Sequence, residues 1–134
     1  MKQHATGTFE VKLVPLDLNE VGEDETRGRI SINKQFHGDL KATSVGEMLS
    51  AMTEVKGSAG YVAMERVVGK LQGRQGSFVL QHSGTMDRGS PSLSVSVVPD
   101  SGTGELADLK GHLTINIREG IHCYGFDYEL GEDL

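Results

Sequence analysis

The sequence predicts an all-β fold in which eight antiparallel strands form a meander within one domain, residues 1–134. Three observations support this prediction. Apolar and polar residues alternate in successive segments of about ten residues, the pattern of strands with one buried face. Clusters of Gly, Ser, Asp and Pro separate these segments, as expected of tight turns. Glycine is also frequent, at 18 of 134 residues, which is about twice the usual share.

Glycines inside the alternating segments favour a closed barrel, because small barrels need sharp bends at their corners. Closure also removes exposed strand edges, and eight strands suit it. A two-sheet sandwich is the alternative. The glycines that fall within predicted strands are Gly28, Gly46, Gly69, Gly111 and Gly125.

The predicted strands follow one another with short connections, apart from one acidic segment. Residues 15–25, PLDLNEVGEDE, hold five of the 19 acidic residues and are predicted to form a loop with solvated charges. Glu132 and Asp133 end the chain in the same way. The predicted strands are residues 4–14, 26–38, 39–55, 61–71, 76–84, 92–98, 104–117 (in its second half) and 121–130.

The third segment is ambiguous between strand and helix. Met48, Leu49, Met52 and Val55 recur at helical spacing, so the local pattern alone slightly favours a short helix. We interpret the segment as a strand that ends in a helical turn.

Residues 59–85 form the most informative region, a β-hairpin of two alternating runs around a Gly-rich turn. Glu65 and His82 stand at the same alternate positions as the apolar residues of this hairpin and are therefore predicted to face inward. An unpaired buried charge costs several kcal/mol, so both groups need partners. One interpretation is structural, with Glu65 paired to an inward cation such as Arg74 in the adjacent turn. The other is that Glu65 and His82 are catalytic.

The predicted interior is apolar with a few polar groups, a composition typical of small-molecule cavities. On the second strand the predicted inward residues are Ile30, Ile32 and Phe36. The alternatives are that the tyrosines pack their rings and send their hydroxyls to water, and that the histidines are hydrogen-bonded core residues. The candidate ligand-binding residues on the inward parity or beside it are Tyr61, Arg74, His122, Tyr124 and Tyr128.

Composition excludes several classes of function. The net charge of −6 argues against binding of nucleic acid, which requires a basic surface. No run approaches the ~18 apolar residues of a membrane-spanning helix, so no membrane partner is expected. The N-terminus lacks the apolar core of a signal peptide. The single cysteine, Cys123, excludes an internal disulfide and predicts a cytoplasmic location.

Motif matches are weak, and no cofactor is predicted. Residues 102–107, GTGELA, fit a loose dinucleotide fingerprint, but Gly111 and a strand follow where a helix is required. A tight turn is predicted there. The segment around Ser44 has the outline of a nucleophile elbow without its first glycine. The histidines lack the spacings of zinc sites, so no metal is predicted, although His82 and His122 could meet across a barrel.

A family resemblance rests on four segments of this sequence. They are FHGDLKATSVGEMLSA, GYVAMERVVGKLQGRQGSFVLQHSG, VVPDSGTGELADLKGHLTI and HCYGFDYEL. With them the chain resembles the bacterial domain-of-unknown-function family 3224 from Gly7 to Leu130. One departure is Ala42, where the pattern has glycine, and it affects a local bend.

The resemblance implies a fold but no activity. The family is similar in fold to allene oxide cyclase, a closed eight-stranded antiparallel barrel with an internal cavity. That similarity implies a barrel for this chain and places GEMLSA in a strand. It does not transfer the cyclase activity, because fold is a poor guide to function and no cyclase motif is present.

Three functions remain open at this point, and the sequence does not decide whether the protein is an enzyme. The first is binding of a small apolar or amphipathic molecule in an internal cavity. The second is an isomerase or cyclase, in which Glu65 or His82 moves a proton while Tyr61, Tyr124 or Tyr128 orients the substrate. The third is a structural module with a packed interior that associates through its outer face. A homodimer is expected.

Overall fold

Eight antiparallel strands pair in chain order, and β8 returns to pair with β1, so the sheet closes into a barrel. The computed structural model describes residues 2–16 and 27–131. The predicted all-β meander barrel is therefore confirmed over these residues, and the sandwich alternative is excluded. The strands are β1 Lys2–Leu16, β2 Arg27–Gly38, β3 Leu40–Met52, β4 Ala59–Leu71, β5 Arg74–Asp87, β6 Ser90–Val97, β7 Leu109–Arg118 and β8 Ile121–Leu130.

The acidic segment predicted as a loop lies outside the described residues from position 17 to position 25, and so do Glu132 and Asp133. Within the described chain, no helix is long and apolar enough to cross a membrane.

Three of the hairpins turn through two residues, of which the second is glycine. They are Gln72-Gly73, Arg88-Gly89 and Glu119-Gly120, and both residues of each turn have positive φ. This is the backbone of a type I′ turn, whose twist matches that of the flanking strands. Glycine accepts the second position without strain. The turn sequences therefore fix the register of the β4–β5, β5–β6 and β7–β8 hairpins.

The third predicted segment is a strand up to Met52, and residues 53–58 form the turn that follows. Its helical spacing is overridden because both edges of β3 are paired, with β2 on one side and β4 on the other. Met48 consequently faces the interior and Leu49 the solvent.

The two ends of the barrel differ in what fills them. At the end with the β2–β3 and β4–β5 turns, here called the aromatic end, large side chains are buried. They are Phe36, Phe78, Tyr124, Phe126 and Tyr128. At the opposite end, with the β3–β4 and β5–β6 turns, the inward residues include Met48, Met52 and Met86, and we call it the methionine end.

The connection between β6 and β7, residues 98–108, covers the aromatic end. Thr103 N donates to Ser77 O at 2.8 Å, and Val79 N donates to the Ser101 hydroxyl at 3.0 Å. Its single turn of 3-10 helix, Gly104–Leu106, presents Leu106 to the core, where it is fully buried. The dinucleotide-like glycines therefore belong to a tight covering turn.

Candidate functional site

Four side chains form a hydrogen-bonded cluster inside the barrel, centred on the Glu65 carboxylate. Lys34 Nζ lies 2.9 Å from Glu65 Oε1, and His82 Nε2 lies 2.7 Å from the same oxygen. The Ser44 hydroxyl donates to Glu65 Oε2 at 2.7 Å. All four side chains are nearly or completely shielded from solvent. Both carboxylate oxygens therefore have hydrogen-bond partners in an interior shielded from solvent.

Strand alternation brings the cluster together from four consecutive strands. Lys34 lies on β2, Ser44 on β3, Glu65 on β4 and His82 on β5, each at an inward position. Gly46 pairs in register with Glu65. A Cβ atom at position 46 would lie 2.8 Å from the Glu65 Cβ. This glycine thus lets the strands approach closely beside the carboxylate.

The prediction that Glu65 and His82 face inward is confirmed, while their catalytic role stays a prediction. Lys34 was missed, although it shares the parity of Ile32 and Phe36. The alternation of β2 does place Lys34 at an inward position, but lysine side chains are rarely buried and are ordinarily predicted to be exposed. Ser44, whose surroundings have the outline of a nucleophile elbow, donates a hydrogen bond to Glu65.

Arg74 is not the partner of Glu65, so that structural prediction was wrong. Arg74 is exposed at the start of β5, where it pairs in register with Leu71 at the aromatic end. Glu65 lies midway along β4, and the cation beside it is Lys34. The adjacent turn is near in sequence, but the extended strand carries it away from the carboxylate.

The cluster holds Glu65 in its ionised form. Burial by itself raises the pKa of this carboxyl, since the charged form loses hydration. The His82 hydrogen bond, the charge of Lys34 and the Ser44 hydrogen bond act in the opposite direction and together prevail. They lower the pKa of Glu65 from 4.5 to about 2.

Aromatic rings complete the environment of Lys34. Its ammonium lies 4.8 Å from the centroid of Phe9 and 5.8 Å from that of Phe36, within the range of cation–π attraction. The His122 ring packs against Phe9, with centroids 5.0 Å apart. His122 is half-buried and inward, as its parity predicts.

A pocket of about 350 Å³ lies at the methionine end, between the end of β3 and the start of β6. Met48, Met52 and Met86 supply flexible thioether chains, and Pro91 and Leu93 add rigid apolar surface. Tyr61 is the aromatic residue of its lining. Ala63 separates Tyr61 from Glu65 along the inward face of β4, so Glu65 lies two inward positions deeper than the Tyr61 of the pocket lining.

Tyr61 links the pocket and the cluster electrostatically. Burial raises the pKa of the Tyr61 hydroxyl, and the negative charge of Glu65 raises it further. The hydroxyl therefore stays protonated at neutral pH and can donate a hydrogen bond. Gly84 makes room for the ring, because a Cβ at that position would lie 3.0 Å from Tyr61 Cδ1.

The other two predicted ligand-binding tyrosines lie at the aromatic end, away from this pocket. The Tyr124 hydroxyl accepts from Leu40 N at 2.9 Å and donates to His37 O at 2.8 Å. Tyr128 donates to the Gln72 side chain. Burial raises the pKa of both hydroxyls. Both rings pack in the core, as in the structural alternative stated above, but both hydroxyls bond to protein atoms and tie strands and turns together.

Metal binding has no geometric support within residues 2–16 and 27–131. No group of three or more His, Cys, Asp or Glu side chains there is arranged to hold a metal ion.

The fold and the site define the class of protein: a closed antiparallel barrel with an internal ion pair and an apolar pocket at one end. The chain belongs to a family of proteins of unknown function, DUF3224, whose family model matches residues 5–128. It is similar to a crystal structure from Shewanella oneidensis MR-1, a protein with unknown function from the DUF3224 family. The two chains are 51% identical with a TM-score of 0.92, over 98% of this chain and 100% of that one. A search of curated proteins finds no match.

Proposed function

We propose that the protein binds a small, largely apolar molecule in the pocket at the methionine end. The observation that carries this proposal is the pocket of about 350 Å³ lined by Met48, Met52, Met86 and Leu93. Its volume falls at the lower end of the range for ligand sites, which are mostly apolar with few polar groups. Unbranched methionine side chains adapt to ligands of different shape.

The polar groups near the pocket suggest the chemistry of the ligand. Tyr61 offers a hydroxyl donor in the lining, beside the hydroxyl residues Ser50, Thr85 and Ser92. The described lining residues include no charged side chain, and the nearest buried charges, Glu65 and Lys34, are paired with each other. A neutral molecule with a hydrogen-bond acceptor fits these features better than an anion or a cation.

The isomerase alternative has weaker support from the same residues. A general base works best with a pKa near the working pH and within reach of the substrate. The pKa of Glu65 is about 2, and its two oxygens are already engaged by Lys34, His82 and Ser44. We therefore assign Glu65 a structural role in the buried cluster with Lys34, His82 and Ser44. The fold likeness to allene oxide cyclase stays an expectation and carries no activity.

The structural-module alternative requires a filled interior. The aromatic end meets that requirement, whereas the pocket argues against it at the methionine end. The cytoplasmic location is likewise a proposal, supported by the single cysteine of the chain.

The test is a fluorescence titration with N-phenylnaphthylamine, a neutral apolar dye. We expect saturable enhancement with the wild-type protein and at least tenfold weaker binding by Ala59→Phe. Ala59 lines the pocket, and a phenyl ring there takes up part of its volume. Ala107→Phe is the matched control, because Ala107 is exposed in the connection at the other end.

Circular dichroism and urea unfolding establish that both variants are folded. Equal dye affinity of the wild type and Ala59→Phe contradicts the proposal. The proposal is also contradicted if the wild type does not bind the dye and native mass spectrometry of protein purified from its own host detects no bound ligand. Loss of binding in Ala107→Phe alone also contradicts it, since that result locates the dye at the aromatic end.

A further inference from the structure

The methionine residues are concentrated at one place in the structure. Of the four methionines within residues 2–16 and 27–131, three line the pocket at the methionine end, and the fourth, Met64, lies on the outer face of β4. None of the described lining residues is a cysteine or a histidine. The thioether sulfurs are therefore the groups of this lining that a peroxide oxidises.

Met52 and Met86 form the rim of the pocket, on either side of Ala59. Met52 pairs in register with Ala59 of β4, and Ala59 pairs with Met86 of β5. The spacing of the three strands puts the two methionine Cα atoms about 10 Å apart. Only the methyl group of Ala59 stands between the two thioether chains. Met48 lies two inward positions deeper on β3.

The two rim methionines are open to a small oxidant in solution. Met52 is 61% exposed and Met86 is 40% exposed, whereas Met48 is less accessible because it lies deeper. Met64 is 51% exposed. Its exposure falls between those of the rim methionines, but it lies outside the pocket, so it serves as an internal reference in the same chain.

We propose that Met52 and Met86 are oxidation sites, and that their oxidation to methionine sulfoxide weakens the binding of apolar molecules in the pocket. The oxidant is hydrogen peroxide, which is small enough to reach both sulfurs from solvent. This inference rests on the proposed function of the pocket and adds a chemical modification that controls it.

Each oxidation transfers one oxygen atom and two electrons. A lone pair of the thioether sulfur forms the S–O bond, and the O–O bond of the peroxide breaks. The proton of the transferred oxygen passes to the departing hydroxide, which leaves as water. One methionine and one hydrogen peroxide thus give one methionine sulfoxide and one water, with the sulfur oxidised and the peroxide reduced.

The sulfoxide makes the rim of the pocket polar. Its S–O dipole is hydrated in the free protein, and an apolar ligand displaces that water without replacing its hydrogen bonds. The barrel keeps its packing, because neither rim side chain belongs to the buried core. Methionine sulfoxide reductases restore the thioether, so the loss of affinity is reversible.

The test measures N-phenylnaphthylamine affinity before and after treatment with hydrogen peroxide. All proteins carry Cys123→Ser, so that the thiol does not consume the oxidant. Mass spectrometry of the tryptic peptides 42–56, 57–66 and 75–88 locates the added oxygen at Met52, Met64 and Met86. Once peptides 42–56 and 75–88 each carry one oxygen and the peroxide has been removed, we expect dye binding to be at least tenfold weaker. Methionine sulfoxide reductases A and B should restore it.

Leucine variants assign the effect to the rim. Met52→Leu/Met86→Leu keeps two apolar side chains of similar size without sulfur, so it should bind the dye with equal affinity before and after the same treatment. Met64→Leu is the matched control, because Met64 is similarly exposed but lies on the outer face. It should lose affinity on oxidation as the Cys123→Ser protein does.

Several outcomes overturn the proposal. An unchanged dye affinity after both rim methionines are oxidised contradicts it and leaves the binding function intact. Protection by Met64→Leu, or loss of affinity in oxidised Met52→Leu/Met86→Leu, places the effect elsewhere. Loss of the β-sheet circular dichroism on oxidation also contradicts it, because the loss of binding then reports unfolding. If the untreated protein binds neither the dye nor a ligand from its own host, the proposed function fails and this inference fails with it.

Discussion

The two ends of the barrel are built from the same eight strands with the same inward alternation, yet one is filled and the other keeps a pocket. At the aromatic end, Phe78 and Phe126 stack at 5.9 Å and Phe126 packs on Tyr128 at 5.2 Å. At the methionine end, Met48, Met52 and Met86 surround a space of about 350 Å³. Alternation therefore decides which residues face inward, and their size decides how much space remains.

The Glu65 cluster lies between these two regions and depends on both. Phe9 and Phe36 pack against the Lys34 ammonium, and Ala63 separates Glu65 from the Tyr61 of the pocket lining. A buried ion pair needs every partner in place, because removing one leaves an uncompensated charge. The cluster is held by hydrogen bonds to both carboxylate oxygens, and it lies deeper in the barrel than the residues that line the pocket.

Glu65→Ala is expected to have the largest effect on stability. It leaves Lys34 buried without its carboxylate and should lower the free energy of unfolding by about 3–5 kcal/mol. Urea unfolding measures the change. The double variant Lys34→Met/Glu65→Gln is the control, since it removes the charge pair together and should lose less. Equal losses in both variants would contradict this account, because the double variant leaves no unpaired buried charge.

Phe126→Ala and Met52→Ala test the contrast between the ends. Phe126 is fully buried in the stacked rings, so its truncation should cost about 3–4 kcal/mol. Met52 is 61% exposed, and its truncation should cost less than about 0.5 kcal/mol. Thermal or urea unfolding of the two variants gives the comparison. Similar losses would mean that the methionine end is as tightly packed as the aromatic end.

Acid should weaken the protein through Glu65. Because the pKa of this group is about 2 when folded and near 4.5 when unfolded, its contribution is present above the unfolded pKa and is lost as pH falls toward 2. The contribution is about 3 kcal/mol, of which about 2 is gone at pH 3. The stability gap between the wild type and Glu65→Gln should therefore narrow by about 2 kcal/mol between pH 6 and pH 3. A constant gap would contradict the lowered pKa.

Tyr124→Phe should have a smaller effect, about 1–2 kcal/mol, because it removes an acceptor from the buried Leu40 N–H. Tyr128→Phe should cost under about 1 kcal/mol, since its partner Gln72 is exposed and can bond to water. Neither substitution should change the affinity for N-phenylnaphthylamine. Weaker dye binding by either variant would move the ligand site toward the aromatic end.

The fold could be predicted from the sequence because its signals are local. Strict alternation in segments such as residues 92–98 and glycine-containing two-residue turns such as Gln72-Gly73 specify strands and hairpins without knowledge of distant residues. The inward position of Glu65 followed from the same alternation. The helical spacing of Met48 and Met52 misleads because pairing on both sides of β3 is a tertiary effect.

The partners in the site could not be predicted in the same way. Lys34 lies 31 positions from Glu65, and only the closed register of β2 to β4 brings them together. Arg74 was closer in sequence but lies beyond the end of β4. The pocket depends on the total volume of the side chains at the methionine end. Alternation predicts only which side chains face inward and not how much space they fill.

The most direct test of the end pocket uses the methionine methyl groups as reporters, in an NMR spectrum of protein labelled only at those methyls. Met48, Met52 and Met86 line the pocket, and Met64 lies on the outer face of β4. Titration with N-phenylnaphthylamine is predicted to shift the first three signals and to leave Met64 unchanged. A shift confined to Met64, or no shift of Met48, Met52 and Met86 at saturating dye, would contradict the assignment of the ligand site to the methionine end.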